Sequence, residues 1–211
     1  MKLDSIRKEY KFAELTRKSI DKNPFKQFAI WLNDALNSKA NEPTAMSAIS
    51  IGTDGFPQSR IVLLKGYNQN GFTFFTDYSS EKGKAIEKNN SIGIHFFWPE
   101  LERQIRISGY AEKTSISVSD SYFQSRPITS QIAAIVSNQS EEIPNRQFLE
   151  NRFFDLQDKL HGEIPERPES WGGYIVKPVK IEFWQGRESR LHDRILYEKK
   201  DETWVAKRLA P

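Results

Sequence analysis

Apolar side chains recur at helical spacing near the start of the chain. After Pro24, apolar residues recur at helical spacing, at Phe25, Phe28, Ala29, Leu32, Ala35 and Leu36. A proline at the first helical position followed by this spacing predicts a helix from Pro24 to about Lys39. The segment before it, residues 1–22, is polar and is predicted to be a mobile arm.

From about Pro43 the pattern changes to short alternating runs that are typical of strands. The predicted strands are Ala45–Ile51, Gln58–Tyr67, Phe72–Thr76, Ser91–Trp98, Glu102–Lys113, Tyr174–Trp184, Arg190–Lys199 and Thr203–Leu209. Turns are predicted at Thr53-Asp54-Gly55 and Asn70-Gly71. Helices are predicted at Glu81–Lys88 and, in two or three pieces broken by Pro127 and Pro144, over residues 117–160. The pattern predicts a mainly β fold with helical insertions (α+β), forming one β-barrel domain over residues 23–211.

Composition excludes several classes of protein. The chain has 211 residues and no cysteine, which excludes disulfides, thiolate nucleophiles and cysteine metal ligands. Its three histidines share no ligand spacing, so no metal site is expected. The 31 basic and 28 acidic residues are interspersed, which argues against a broad nucleic-acid surface. No apolar run approaches the roughly 20 residues that span a bilayer, and no signal segment is evident. We therefore expect neither a nucleic-acid nor a membrane partner, and a cytoplasmic location.

The densest group of chemically active residues is the segment Trp184–Arg194, which contains three arginines, a histidine and a tryptophan. Arginine matches phosphate oxygens, and tryptophan offers a flat apolar face, so an anionic planar ligand is the simplest explanation. Arg190 and His192 are two apart and would share one face of a strand. A salt-bridged strand involving Asp193 is the alternative.

Three further segments carry anion-binding residues. On a strand, Arg60 and Lys65 would point to opposite faces, so we expect them to bind different anions. The alternative is an edge strand with two solvated cations. The start of the helix at Ser80 and Lys82 is a possible phosphate site or an ordinary capped helix. Tyr122 and Arg126 are four apart and would share a helix face, which is also typical of a surface pair.

Five segments together resemble the pyridoxine (pyridoxamine) 5′-phosphate oxidase family. Besides Trp184–Arg194, they are Arg60–Lys65, Leu101–Gln104, Tyr122–Pro127 and Val136–Ser140, and the closing Arg208–Pro211 also fits. The resemblance covers about Arg7 to Pro211. It implies an FMN-binding split β-barrel that forms a homodimer with flavin at the subunit interface. It also implies oxidation of pyridoxine 5′-phosphate or pyridoxamine 5′-phosphate by O2 to pyridoxal 5′-phosphate, the final step of vitamin B6 cofactor synthesis and salvage.

The resemblance also implies roles for individual residues. The implied FMN contacts are Arg60, Ile61, Val62, Leu63, Leu64, Lys65, Phe75, Thr76, Lys82, Gln104, Gln139, Ser140, Trp184 and Arg194. The implied substrate contacts are Arg7, Tyr10, Lys65, Tyr122, Arg126, Ser130, Arg190 and His192, the last two being the catalytic candidates.

The chain departs from the common family pattern at two places. Glu81 stands where many relatives have arginine, and Phe75 replaces a frequent tyrosine. Glu81 cannot donate to a phosphate, so its effect on FMN affinity is open. Two other functions stay open as well: a non-catalytic flavin-binding barrel, and a carrier or sensor that binds pyridoxal 5′-phosphate without turnover.

Overall fold

The computed structural model describes residues 9–11 and 13–211. Contacts divide the chain into two compact units. The first comprises Met1–Ala48, Gly93–Gly109 and Pro178–Pro211, and the second comprises Ile49–Ile92 and Tyr110–Lys177. The single domain expected over residues 23–211 stays a prediction, as does the mobility of the arm.

Strands and helices alternate along the described chain. The strands are β1 (Ala45–Ile51), β2 (Pro57–Leu63), β3 (Gly66–Asn68), β4 (Gly71–Asp77), β5 (Ser91–Trp98), β6 (Arg103–Lys113), β7 (Trp171–Gln185), β8 (Asp193–Lys200) and β9 (Thr203–Leu209). The helices are α1 (Pro24–Asn37), α2 (Glu81–Lys88), α3 (Ile116–Ser125), α4 (Ile128–Val136) and α5 (Arg146–Leu160). A mainly β fold with helical insertions is thereby confirmed.

Pairing follows the order β2-β1-β5-β6-β7-β4-β3, with β8 pairing with both β7 and β9. The register sets Phe74 opposite Tyr174 in the β4–β7 pair and Trp184 opposite Arg194 in the β7–β8 pair. Among the helices of the described residues, none is both long enough and apolar enough to cross a membrane.

Local chemistry explains where several elements begin. Asn23 caps α1 because its side-chain Oδ1 accepts the Phe25 N–H at 2.8 Å, and Pro24 follows at the first helical position. Ser80 caps α2 by accepting the Gly83 N–H at 3.2 Å. The predicted turn before β2 closes through the Gly52 N–H and the Phe56 carbonyl at 2.8 Å, with Gly55 at φ +88°.

Each unit has its own aromatic core. In the first, the Trp31 ring meets the Phe183 ring edge-on at 5.2 Å, and Phe28 packs against Phe96 at 5.4 Å. In the second, Tyr174 lies 5.8 Å from Phe74 and 5.1 Å from Tyr78. These fully or nearly buried rings hold the strands that carry the candidate site.

Two predicted strands are wrong in part. The strand expected over Gln58–Tyr67 ends at Leu63 and resumes as β3 at Gly66. The strand expected from Arg190 begins only at Asp193, because Ser189 and Arg190 take positive φ angles of 54° and 61° and form a short 3-10 turn. An extended strand cannot contain these angles.

Candidate active site

Lys82 lies at the start of α2 with only 7% of its surface exposed. Its Nζ donates to the Thr76 hydroxyl, to Gln139 Oε1 at 3.2 Å and to Ser80 Oγ at 3.3 Å. None of these three partners is charged. A buried ammonium whose hydrogen-bond partners are all neutral oxygens is typical of an anion-binding site.

Burial lowers the pKa of Lys82 from 10.5 to about 8. The carboxylate of Asp77 opposes this change, and the positive charge of Arg60 adds to it. An anion bound beside Lys82 would reverse the effect of burial, because a nearby negative charge favours the protonated amine.

Arg60 and Lys65 line the same cavity as Lys82. The expectation that these two cations face opposite sides of one strand is therefore wrong. The reason is that β2 ends at Leu63 and Lys65 lies outside it, with its N–H donating to the Thr73 carbonyl of β4 at 2.8 Å. Strand alternation no longer applies beyond that point.

Glu81 pairs with Arg60 across the start of α2. The carboxylate lies 3.6 Å from the Arg60 guanidinium, and the two side chains are 62% and 64% exposed. Such an exposed pair contributes little stability. It nevertheless places a negative charge beside Arg60, one of the cations that line the cavity.

A stack of three rings forms the floor below Arg126. Phe75 lies 3.9 Å from Tyr122, and both rings are nearly parallel to that of Trp171. The Arg126 guanidinium lies 4.6 Å above the Trp171 ring, where cation–π attraction holds it.

Arg126 is also incompletely paired. Its buried Nη1 has no hydrogen-bond partner within the part of the chain that the structure describes. Burial lowers the pKa of this guanidinium, with Tyr122 acting in the opposite direction. A buried donor without a partner is costly, and an oxyanion would satisfy it.

Most of the predicted residues of the second unit line one cavity of about 990 Å³. They are Arg60, Ile61, Val62, Leu63, Lys65, Phe75, Thr76, Lys82, Tyr122, Arg126, Gln139 and Ser140. The cations of the lining include Lys82 with Arg60, whose charge acts on Lys82, and Arg126, while Lys65 lines the same cavity. Two predicted residues are not part of its lining: Leu64, which is 6% exposed, and Ser130 on α4.

Sequence reasoning missed one wall of the cavity. The missed residues include Trp171 and, on α5, Arg146, Leu149, Glu150, Phe153 and Phe154. Arg146 and Glu150 form an ion pair with nitrogen and oxygen 2.6 Å apart. Their i,i+4 spacing can be read from the sequence, but such pairs are common on helices and do not indicate a binding site. No local signal marks Trp171, because its role depends on Arg126 lying above it.

Within the first unit, three of the predicted residues contact one another. The His192 ring lies 4.7 Å from Trp184, and the Tyr10 ring lies 5.7 Å from Trp184 and 5.8 Å from His192. The Arg187 N–H donates to His192 Nδ1 at 3.1 Å. Burial, reinforced by the charge of Arg190, lowers the pKa of His192.

Arg190 and His192 do not alternate along a strand as predicted. Arg190 lies in the 3-10 turn with φ +61°, and His192 immediately precedes β8. Their relative orientation therefore comes from the turn and not from strand parity.

Arg194 is held by a carboxylate on the neighbouring strand. Its Nε and Nη2 donate to the two oxygens of Glu182 at 2.8 and 3.2 Å, and its Nη1 donates to the Ala210 carbonyl. Glu182 raises the pKa of this guanidinium. The predicted flavin contact Gln104 binds His95 through its Oε1 at 3.0 Å.

The described part of the N-terminal segment packs on the first unit. The Lys11 N–H donates to Glu102 at 2.7 Å, and the Leu15 N–H donates to Asp193 at 3.0 Å. Arg7, a predicted substrate contact, lies outside the described residues. Across the described chain, no cluster of three or more potential metal ligands occurs.

Comparison with known proteins assigns the family. Residues 32–159 match the family described as pyridoxamine 5′-phosphate oxidase, and residues 171–211 match the pyridoxine 5′-phosphate oxidase C-terminal dimerisation region. The chain is 48% identical to the pyridoxine/pyridoxamine 5′-phosphate oxidase of Flavobacterium johnsoniae, covering 99% of this chain and 98% of that protein. It is 49% identical to the protein of the same name from Actinobacillus pleuropneumoniae over the full length of both.

Solved structures support the same fold. PhzG from Burkholderia lata, crystallised with tetrahydrophenazine-1-carboxylic acid, superposes with a TM-score of 0.88 at 27% identity, covering 94% of this chain and 98% of that one. A pyridoxamine 5′-phosphate oxidase-related protein from Nostoc punctiforme has a TM-score of 0.71 at 16% identity, covering 90% of this chain and 98% of that one. The predicted split β-barrel class is confirmed. Full-length similarity and the family match together show that this chain is an oxidoreductase that belongs to the pyridoxine/pyridoxamine 5′-phosphate oxidase family.

Proposed function

We propose that this protein oxidises pyridoxine 5′-phosphate or pyridoxamine 5′-phosphate to pyridoxal 5′-phosphate, with FMN as its cofactor. The observation that carries the proposal is the presence of two cationic groups in one cavity, one formed by Lys82 with Arg60 and one by Arg126 above Trp171. Cofactor and substrate each bring one phosphate, so the reaction needs two phosphate positions within one site.

The residues around Lys82 suit the FMN phosphate. Lys82 is a buried cation, and Thr76 and Gln139 already converge on it. Gln139 and Ser140 follow α4, while Ile61–Leu63 line the cavity beside them. Gln104, Trp184 and Arg194 complete the proposed flavin contacts. Because the C-terminal part of the chain matches a dimerisation region, we propose a homodimer in which both subunits contribute to each flavin site.

The residues around Arg126 suit the substrate phosphate. Its unpaired Nη1 can donate to a phosphate oxygen, and the Trp171 ring beneath it restricts the guanidinium. Tyr122 and Lys65 line the same cavity, and Ser130 lies one turn further along the chain. Arg190 and His192 would then orient the reacting carbon, and Tyr10 would cover it.

The chemistry divides between cofactor and protein. When bound, FMN would supply the redox chemistry, namely hydride acceptance from C4′ and return of the electrons to dioxygen as hydrogen peroxide. With the amine substrate, hydrolysis also releases ammonia. The side chains bind both phosphates and hold the reacting atoms together, which supplies much of the rate.

The ligand of PhzG suggests a competing substrate. A tetrahydrophenazine carboxylic acid carries no phosphate, and its carboxylate brings less negative charge and fewer acceptor oxygens to a cationic group than a phosphate does. The two groups therefore favour a phosphorylated substrate.

Anaerobic mixing tests the proposal. The purified protein is expected to bind FMN, and its flavin absorption should bleach when pyridoxine 5′-phosphate is added without oxygen. Tetrahydrophenazine-1-carboxylic acid and unphosphorylated pyridoxine serve as controls. Binding of pyridoxal 5′-phosphate without bleaching by either phosphorylated substrate would indicate a carrier or sensor instead.

The roles of Arg190 and Arg194 can be separated in the same assay. Arg190→Ala is expected to slow flavin reduction more than it weakens FMN binding, whereas Arg194→Ala should mainly weaken FMN binding. If both variants reduce flavin at the parent rate, the segment before β8 has no part in the reaction.

A further inference from the structure

The turn that precedes β8 brings a backbone N–H into hydrogen-bonding distance of the His192 imidazole. β7 ends at Gln185, and the positive φ angles of Ser189 and Arg190 turn the chain back on itself. The Leu191 N–H closes the turn on the Glu188 carbonyl at 3.0 Å. As a result the backbone N–H of Arg187 meets His192 Nδ1 at 3.1 Å, five residues along the chain.

This hydrogen bond distinguishes the two ring nitrogens. A backbone N–H can only donate, so Nδ1 must present a lone pair. A neutral imidazole has one protonated nitrogen, which must then be Nε2. We infer that His192 is held as the Nε2–H tautomer and acts on the substrate as a hydrogen-bond donor, not as a proton acceptor.

The surroundings of the ring favour its neutral form. Burial lowers the pKa of His192, and the guanidinium of Arg190 lowers it further. The neighbouring carboxylate of Asp193 accepts from Arg208 and from the Leu15 N–H, and it also pairs with Arg187. The rings of Tyr10 and Trp184 also pack against the imidazole. Protonation of Nδ1 would also break this hydrogen bond, because the Arg187 N–H and the Nδ1–H would both be donors.

The inference rests on the proposed function for its consequence. Oxidation of an alcohol or amine removes a proton from the oxygen or nitrogen on C4′. An Nε2 that already carries a proton has no lone pair to receive it. His192 would therefore bind an acceptor atom of the substrate and position it, while the proton leaves by another route, such as water.

The tautomer can be measured directly by NMR. In flavin-loaded protein labelled with 15N-histidine, at pH 8, His192 should show an unprotonated Nδ1 and a protonated Nε2. The chain has three histidines, so His192→Gln identifies the His192 signals, and His161→Gln serves as the control. An Nδ1–H tautomer, or a doubly protonated ring at this pH, would overturn the inference. The measurement needs no substrate, so it stands even if the proposed reaction fails.

Substitutions separate a donor from a base. Glutamine can place an amide N–H near the position of Nε2, whereas alanine cannot. We expect His192→Ala to raise the KM for pyridoxine 5′-phosphate by about tenfold, the effect of one lost hydrogen bond. His192→Gln should recover most of that loss, together with most of any fall that His192→Ala causes in the limiting rate of anaerobic flavin reduction, because an amide N–H can replace a donor but not a base. Loss of a base instead costs about 10²–10⁴-fold in that rate. A loss of this size that glutamine does not restore would refute the donor role.

Discussion

Replacement of Lys82 by methionine should stabilise the flavin-free protein while weakening FMN binding. Lys82 is buried among the neutral oxygens of Thr76, Ser80 and Gln139, and burial lowers its pKa from 10.5 to about 8. The folded protein therefore bears a cost for keeping this amine charged at pH 7. Methionine is similar in length, carries no charge and suits the buried position.

The size of the effect follows from linkage. The difference between 10.5 and about 8, at about 1.36 kcal/mol for each pH unit, corresponds to an upper limit of about 3 kcal/mol. Hydrogen bonds lost with the amine reduce this value, so we expect the free energy of unfolding to rise by about 1–3 kcal/mol. For a chain of this size, such a gain raises Tm by about 2–10 °C.

The sign of the pH dependence provides an independent check. Because the folded-state pKa is lowered, the unfolded chain binds more protons than the folded one between about pH 8 and 10.5. The stability contribution of Lys82 should therefore improve with rising pH across this window. The advantage of Lys82→Met should be largest at pH 7 and should shrink by pH 10.

Binding should change in the opposite direction. A lost charge-assisted contact to phosphate is worth about 1.5–3 kcal/mol, which raises the Kd for FMN about 10- to 150-fold. Thermal unfolding of the flavin-free protein at pH 7 and pH 10, together with flavin fluorescence titration, measures both effects. Lys84→Met is the matched control, because Lys84 is an exposed lysine on the same helix. The reasoning is wrong if Lys82→Met lowers the Tm of the flavin-free protein at pH 7, or if FMN affinity is unchanged.

Two further substitutions test the two cationic groups. Arg126→Ala should raise the KM for pyridoxine 5′-phosphate at least tenfold with flavin content unchanged, since one charged phosphate contact is worth about 1.5–3 kcal/mol. Steady-state kinetics measure this KM. The control is Arg152→Ala, which removes an α5 arginine that packs on Phe148. A loss of flavin with normal KM would contradict the assignment. Glu81→Gln should tighten FMN binding by about 1.4- to fivefold, because it releases Arg60 from an exposed ion pair of about 0.2–1 kcal/mol. Fluorescence titration against Glu87→Gln measures this gain, which should diminish at high salt; equal affinities for the two variants would show that Glu81 does not compete with the phosphate.

The sequence predicted elements well where the cause is local. The bounds of α2, β1, β5 and β9 are those predicted, because alternation, capping and turn residues act within a few positions. The Ser80 cap and the Gly55 turn are examples, since each depends on contacts between near neighbours. Many of the candidate residues line one cavity, and they stood out in the sequence because arginine, lysine and hydroxyl side chains are the types that bind phosphate.

Contacts between distant parts of the chain decided the rest. Lys82 is an unusual lysine because Gln139, 57 residues away, helps to bury it. Arg126 is a restrained cation because Trp171 lies under it. Neither of these two contacts can be predicted from the residue pattern of a single helix or strand.

The same distinction explains the errors. Arg60 and Lys65 were assigned opposite faces on the assumption of one straight strand, but the strand is interrupted after Leu63 and both residues line one cavity. Arg190 was placed on a strand face, yet it lies in a turn with φ +61°. Sequence alone determined which chemical groups are present and which local structures they favour, since these follow from short-range sterics and hydrogen bonding. Tertiary structure decided burial, pairing and orientation, because these depend on side chains that only the folded backbone brings together.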